Sequence, residues 1–151
     1  IKTISDLKKH IHAFTPGFTA EFAERKDGLS GLKEKYNLDF KEKPTLLDPG
    51  IMYKAIKEKE VDLICGFATD GRIPVYNLQV LEDNKKFFPP YYAAPVIRKA
   101  TLKQHPKLQK VLNMLAGKIT DEVIRKLNYE IDKNEKTLKN VSRTFFQETG
   151  I

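Results

Sequence analysis

The 151-residue chain predicts an α/β fold, with a parallel or mixed sheet and covering helices in its first part and a helical C-terminal part. Three observations carry this reading. Short apolar runs alternate with helix-like segments in a strand-helix-strand-helix-strand order, which calls for parallel strands joined by crossover helices. The run Val61 to Cys65 is apolar almost throughout and β-branched in part, as suits a strand buried on both faces of a sheet. From Thr101 onward the pattern is that of amphipathic helices.

The elements follow in order. Thr3-Ile4-Ser5-Asp6 has capping-box-like spacing and predicts a short helix Ser5 to Lys9, and the alternation in His10-Ile11-His12-Ala13-Phe14 then predicts a strand. His10 and His12 would share one face of it; with no third ligand nearby they read as exposed histidines, not a metal site. A helix from about Ala20 to Lys26 follows Thr15-Pro16-Gly17-Phe18-Thr19 and is closed by Asp27-Gly28. Its N-terminal amides could favour a carboxylate, and Glu21 in its first turn would complement the helix dipole. The spacing of Phe14, Phe18 and Phe22 is accounted for equally by core packing and by a ligand wall.

Leu29 to Tyr36 predicts a second helix with Asn37 as C-cap, and Asp39 to Pro44 a short strand. Asp48-Pro49 is a helix start with Pro at N1, so Ile51 to Lys59 predicts a helix burying Ile51, Ala55 and Ile56. It leads directly into Val61 to Cys65. In a parallel sheet the strand ends at Thr15, Leu46 and Phe67 would open on one edge, the usual place for a ligand in open α/β folds. Leu78 to Glu82 and Ala93 to Arg98 predict further strands. His105-Pro106 opens a helix to Leu115 with the apolar face Leu108, Val111, Leu112 and Leu115; Gly117 ends it. Thr120-Asp121 caps a helix to about Asp132, and Thr137 to Glu148 forms the last.

Charge sets the competing readings. Lysine and arginine number 27 against 20 acids, a net charge of +7, which raises nucleic acid or an anionic membrane as a partner. Much of the charge is interleaved, as in Lys33-Glu34-Lys35 and Lys57-Glu58-Lys59-Glu60, and reads as solvated surface. The alternative function is therefore a nucleic-acid or other anion-binding module, in which Phe87 and Phe88 beside Lys85 and Lys86 would stack bases. Its binding would fall steeply with salt. The single Cys65 forbids an internal disulfide, and its apolar surroundings argue against an activated thiolate. Neither Gly66 nor Gly71 belongs to a phosphate-binding glycine loop, so an enzyme is not indicated. No apolar run reaches the ~20 residues that span a bilayer.

The stretch 61 to 98 concentrates the chemistry. Just past the strand ending at Cys65, Phe67-Ala68-Thr69-Asp70-Gly71-Arg72 places an aromatic ring, a hydroxyl, a carboxylate and a guanidinium on one turn. Phe87-Phe88-Pro89-Pro90-Tyr91-Tyr92 then holds four rings around two prolines that fix φ and exclude helix. Such rings suit a quaternary ammonium, which donates no hydrogen bond and is too bulky for a tight salt bridge. Each good π face contributes ~0.5 to 2 kcal/mol, and three or four suffice for a low-micromolar site. Arg72, with Thr15 or Thr19, would hold a carboxylate end. Asp70 also reads as a turn residue capping Gly71 and Arg72.

The order VDLICGFATDGRI, LQVLEDNKKFFPPYYAAPVIRK, HPKLQKVLNMLAGKIT and RKLNYEID resembles the osmoprotectant-binding proteins of bacterial ABC transporters, which take glycine betaine, carnitine or choline. The resemblance extends over nearly the whole chain, and the TDG turn and the FPPYxAAPV segment are its most specific parts. It implies a type II periplasmic-binding-protein fold. Residues 1–74 would be the second, inserted lobe, and 75–151 a hinge strand with the C-terminal part of the first lobe. The chain would be a C-terminal fragment, preceded by roughly a hundred residues of that first lobe.

By the same resemblance Tyr91 matches a cage tyrosine and Phe67 the aromatic before the TDG turn. The expected ligand-binding set is Phe18, Glu21, Phe22, Phe67, Thr69, Asp70, Arg72 and Tyr91, with no metal or cofactor. Relatives often carry Tyr at the Phe67 position and Gln at that of Arg72. Phe keeps the π face without the hydroxyl and Arg adds a charge, so carnitine or a histidine-derived betaine such as ergothioneine competes with glycine betaine as ligand. The implied partner is a permease subunit, separate or fused in one chain, with no nucleic acid. The implied location is periplasmic, or on the extracytoplasmic face of the bacterial inner membrane.

Overall fold

The computed structural model describes residues 1–151. The chain forms two compact units, Ile1–Phe67 with Tyr76–Pro89, and Ala68–Val75 with Pro90–Ile151.

The first unit is built on a three-stranded parallel sheet, β1 (Pro16–Phe18), β2 (Thr45–Leu46) and β3 (Leu63–Ile64), in the order β2-β1-β3. Gly17 pairs with Thr45 on one side and Ile64 on the other, which aligns all three carboxyl ends on one edge. Between the strands run α1 (Ala20–Glu24), α2 (Gly31–Tyr36) and α3 (Pro49–Lys57). The parallel sheet and its covering helices thus follow the predicted order, but the strands are shorter and differently placed. The predicted strand His10–Phe14 is instead a 3-10 turn, Ile11–Ala13, following another at Ile4–Lys9. Its alternation loses to the spacing of Ile4, Leu7 and Ile11, all buried in one cluster. The first strand accordingly ends at Phe18, not Thr15, and the third at Ile64, not Phe67.

Asp39–Pro44 is not a strand either, because β1 takes Thr45 and Leu46 as its partners while Leu38 and Phe40 turn into the core. Leu78–Glu82 contributes a single bridge, Thr3 to Glu82. In α3 the buried face is Met52, Tyr53 and Ala55, with Ile51 exposed and Ile56 only half-buried, a rotation of the predicted face. The helix begins as the sequence predicts, with Asp48 at the N-cap and Pro49 at N1. Asn37 ends α2 in the left-handed conformation.

The core gathers Ile4, Leu7, Ile11, Phe18, Leu29, Leu32, Tyr36, Leu38 and Phe40. Gly17 is required there: a Cβ would lie 2.9 Å from Val61 Cγ1 and 3.0 Å from Leu47 Cδ1.

The second unit is helical: α4 (Arg72–Val75), α5 (Lys99–Gln104), α6 (Lys107–Asn113), α7 (Asp121–Asp132) and α8 (Leu138–Thr149). The predicted strand Ala93–Arg98 is extended but belongs to no sheet. The predicted caps are present, since Thr120 Oγ1 accepts from Val123 N at 3.2 Å and Thr137 Oγ1 from Asn140 N at 3.3 Å. Ile73, Val141 and Phe145 are its buried apolar residues.

Candidate functional site

At the carboxyl edge of the sheet, the chain leaves β1 through Thr19, whose hydroxyl accepts from Phe22 N at 3.2 Å and caps α1. Phe18 is 2% exposed and packs edge-on against Phe22, with ring centroids 5.2 Å apart, and against Phe40 at 6.1 Å. Phe22 stacks on Phe88 at 6.4 Å, and Phe88 meets Phe87 edge-on at 4.9 Å. The sequence elements around residues 18–22 and 87–88 therefore meet in one aromatic row. Each such pair is worth about 0.5 to 1.5 kcal/mol beyond burial. Glu21 is turned to Arg25, 3.0 Å away, and Arg25 also grips Asp27 at 2.5 Å. These hydrogen bonds, Asp27's foremost, hold the guanidinium charged.

One residue that the sequence reading passed over organises this row. The Asp83 carboxylate accepts from Phe87 N at 2.9 Å, from Phe88 N at 2.7 Å and from the Tyr36 hydroxyl. Burial pushes the Asp83 carboxyl up, but these three donors outweigh it and hold it below the usual range. Burial, and then the Asp83 bond, push Tyr36 up to about 12. Tyr36 in turn accepts from Lys85 N at 2.8 Å, and the Lys85 ammonium lies 5.2 Å from its ring centroid. An aspartate opening the polar run Asp83-Asn84-Lys85-Lys86 was the available signal, since carboxylates commonly cap the turn they begin.

The third strand leads through Cys65 and Gly66 to Phe67, which is 79% exposed. A Cβ on Gly66 would stand 2.3 Å from the Tyr53 hydroxyl oxygen, so glycine here leaves the Tyr53 side chain its place. Burial pushes the Cys65 thiol up to about 11.

In the second unit, Thr69, Asp70 and Arg72 lie together on the turn that opens α4. Asp70 Oδ1 accepts from Arg72 N at 2.9 Å and from Arg72 Nε at 3.0 Å, while Oδ2 accepts from Arg72 Nη2 at 2.8 Å. Asp70 is thus the turn cap the sequence suggested and a bidentate partner of the guanidinium. The turn is clamped to α7: Arg125 Nε donates to the Ala68 carbonyl at 2.6 Å and Asn128 Nδ2 to that of Thr69 at 2.8 Å. A Cβ on Gly71 would meet the α7 backbone, 2.8 Å from Asn128 C and 2.9 Å from Tyr129 N. Tyr91 is 80% exposed on the extended segment that follows Pro90, with Tyr92 and Val96 exposed beside it. No group of three or more His, Cys, Asp or Glu has the arrangement of a metal site.

Chemically, the first unit offers a buried aromatic row and a free ring at Phe67, and the second a charged turn and a free ring at Tyr91. Comparison with known proteins gives this chemistry a context. The model of the substrate-binding domain of ABC-type glycine betaine transport systems matches residues 1–148. A carnitine transport binding protein of Listeria monocytogenes is 40% identical over 151 residues, covering 99% of this chain and 49% of that protein. An ergothioneine transport permease/ergothioneine binding protein of Helicobacter pylori is 36% identical over 151 residues, covering all of this chain and 27% of that protein. A crystal structure described as a glycine betaine/carnitine/choline ABC transporter superposes with a TM-score of 0.88 at 38% identity, over 98% of this chain and 54% of that one. The chain therefore spans about half the length, or less, of these relatives. Its fold is that of the periplasmic binding proteins, as expected from the motifs, and the chain belongs to the family of substrate-binding domains of ABC-type glycine betaine transport systems.

Proposed function

We propose that this chain forms part of the substrate-binding component of an ABC importer. It captures a quaternary-ammonium compound in an aromatic cage and delivers it to a permease. The ligand is glycine betaine, choline, carnitine or a related betaine such as ergothioneine. The observation that carries the reading is the family match over residues 1–148, taken with relatives described as binding carnitine and ergothioneine.

The residues support it physically. Phe67 and Tyr91 present accessible π faces to a trimethylammonium group. Phe22, backed by Phe18, stiffens a second wall through its stack on Phe88. Arg72 receives the carboxylate end of the ligand, with Asp70 setting its fork and Thr69 supplying a polar contact, while the negative charge of Glu21 favours the ammonium end. The protein works by binding and release without bond making. Residues 1–74 serve as the second lobe and 75–151 as hinge strand and remainder of the first, on the extracytoplasmic side of the membrane. The permease is a separate subunit or lies in the same gene product.

Equilibrium dialysis against choline, glycine betaine, carnitine and ergothioneine tests the ligand class. The complete gene product that contains the chain should retain one of these saturably. Retention of none at millimolar concentration would remove the reading.

A further inference from the structure

Three contacts from one helix pin the turn Ala68 to Arg72. Arg125 Nε donates to the Ala68 carbonyl at 2.6 Å, and Asn128 Nδ2 donates to the next carbonyl, that of Thr69, at 2.8 Å. Gly71 lies so close to the α7 backbone that a Cβ there would stand 2.8 Å from Asn128 C and 2.9 Å from Tyr129 N. Arg125 and Asn128 are three residues apart on α7 and so share one face of it. Both are half-buried, and the turn and the helix belong to the same compact unit.

Asp70 carries this anchoring on to Arg72. Its Oδ1 accepts from Arg72 N and Nε, and its Oδ2 accepts from Nη2. The guanidinium therefore takes its place from Asp70, Asp70 takes its place from the turn, and the turn takes its place from α7. The Asp70 carboxylate also offsets the guanidinium charge, which weakens attraction at a distance. A ligand carboxylate is then held through short directional hydrogen bonds, whose quality depends on where the fork lies. Donors fixed before the ligand arrives spare it the cost of ordering them, about two- to tenfold in affinity for each side chain held in advance.

We propose that Arg125 and Asn128 are positioning residues for ligand capture. Acting through the turn, they set the affinity for the carboxylate end of the ligand. This rests on the reading of Arg72 given above.

Calorimetry on the complete gene product tests it with glycine betaine, carnitine and ergothioneine, which carry a carboxylate, and with choline, which does not. Arg125→Met and Asn128→Leu keep the shape of each side chain and remove its donor. R125M/N128L should weaken a carboxylate-bearing ligand by about tenfold and choline by less than about twofold. Asn128→Leu alone should lose about threefold, which keeps the test open should the pair not fold. Arg125→Gln, whose Nε2 stands as many bonds from Cα as the lost Nε, should retain nearly full affinity. Val141→Ala truncates a buried side chain of the same unit and controls for lost stability: it should lower the melting temperature and leave the affinities unchanged. In hydrogen exchange without ligand, the Arg72 and Ile73 amides, which donate to Asp70 Oδ1 and to the Asp70 carbonyl, should exchange about tenfold faster in R125M/N128L. Equal affinity of R125M/N128L and the unaltered protein for a carboxylate-bearing ligand would overturn the proposal and leave the quaternary-ammonium reading standing. So would an equal loss for choline, an equal loss in Val141→Ala, unchanged exchange, or an unaltered protein that binds choline alone. Binding of none of the four by the unaltered protein would remove that reading and this proposal with it.

Discussion

The Nδ2 amide of Asn128, in the middle of α7, donates to the Thr69 carbonyl at 2.8 Å. The helix predicted from Thr120-Asp121 to about Asp132 therefore fixes the turn that carries Thr69, Asp70 and Arg72. Asn128→Ala should destabilise the protein by about 1 to 2 kcal/mol in urea unfolding, the usual cost of leaving such an acceptor without its donor. Asn128→Asp should cost at least as much, because a carboxylate oxygen would face the carbonyl. A neutral Asn128→Asp would show that the bond does not hold the turn.

Glycine substitutions should separate packing from backbone entropy. Gly71→Ala forces a Cβ against the α7 backbone, which cannot swing away as a side chain could. It should cost about 1 to 3 kcal/mol. Gly50→Ala, on the first turn of α3 with nothing within 4 Å of its Cβ, should stabilise by about 0.5 to 1 kcal/mol. Thermal melts of the two variants moving in opposite directions would check this.

Stability at the pH extremes should report on the Asp83 and Tyr36 pair. The Asp83 carboxyl is held below its ordinary 3.8 in the folded state despite burial. It therefore contributes stability that is present above that value and lost as pH falls through the lower folded one. Tyr36 shifts the other way, from 10.0 to about 12. Its contribution is complete below pH 10 and lost as pH rises toward 12. Denaturant midpoints followed against pH should show both losses. Asp83→Asn should remove the acid limb's share and Tyr36→Phe the alkaline one. In an ultraviolet titration, Tyr36 should ionise late, and the late step should shrink by one tyrosine in Tyr36→Phe.

Cys65 offers a chemical check on the edge of the sheet. With its thiol pushed up to about 11 by burial, little thiolate exists at pH 8. Reaction with a disulfide reagent at that pH should run at least tenfold slower than in the chain unfolded in urea. Equal rates would place the thiol in solvent.

What the sequence disclosed is what local chemistry decides. Thr120 and Thr137 mark helix starts because capping involves residues two or three apart, and Asp48-Pro49 does so because Pro at N1 carries a φ already set for helix. Asn37 marks a helix end because few residues tolerate positive φ. The strands were displaced because alternation in His10 to Phe14 cannot reveal that Ile4, Leu7 and Ile11 pack together at helical spacing. Pairing with β1, not propensity, picks out Thr45–Leu46. In the candidate site, the turn from Phe67 to Arg72 was legible from its residues, including Asp70 as a cap. The clamp on that turn was not, since Arg125 and Asn128 lie 57 and 59 residues from their acceptors. Asp83 was passed over for a similar reason, because one of its donors, Tyr36, is 47 residues away.

Calorimetry decides whether aromatic faces capture a quaternary ammonium. Choline, glycine betaine, carnitine and ergothioneine would be titrated into the complete gene product that contains this chain. A neutral isostere of choline, with carbon in place of nitrogen, is the control. One cation should bind saturably, the isostere should be silent, and both Phe67→Ala and Tyr91→Ala should lose at least tenfold in affinity. Equal binding of the isostere, or unchanged affinity in the double variant Phe67→Ala with Tyr91→Ala, would rule out the aromatic cage.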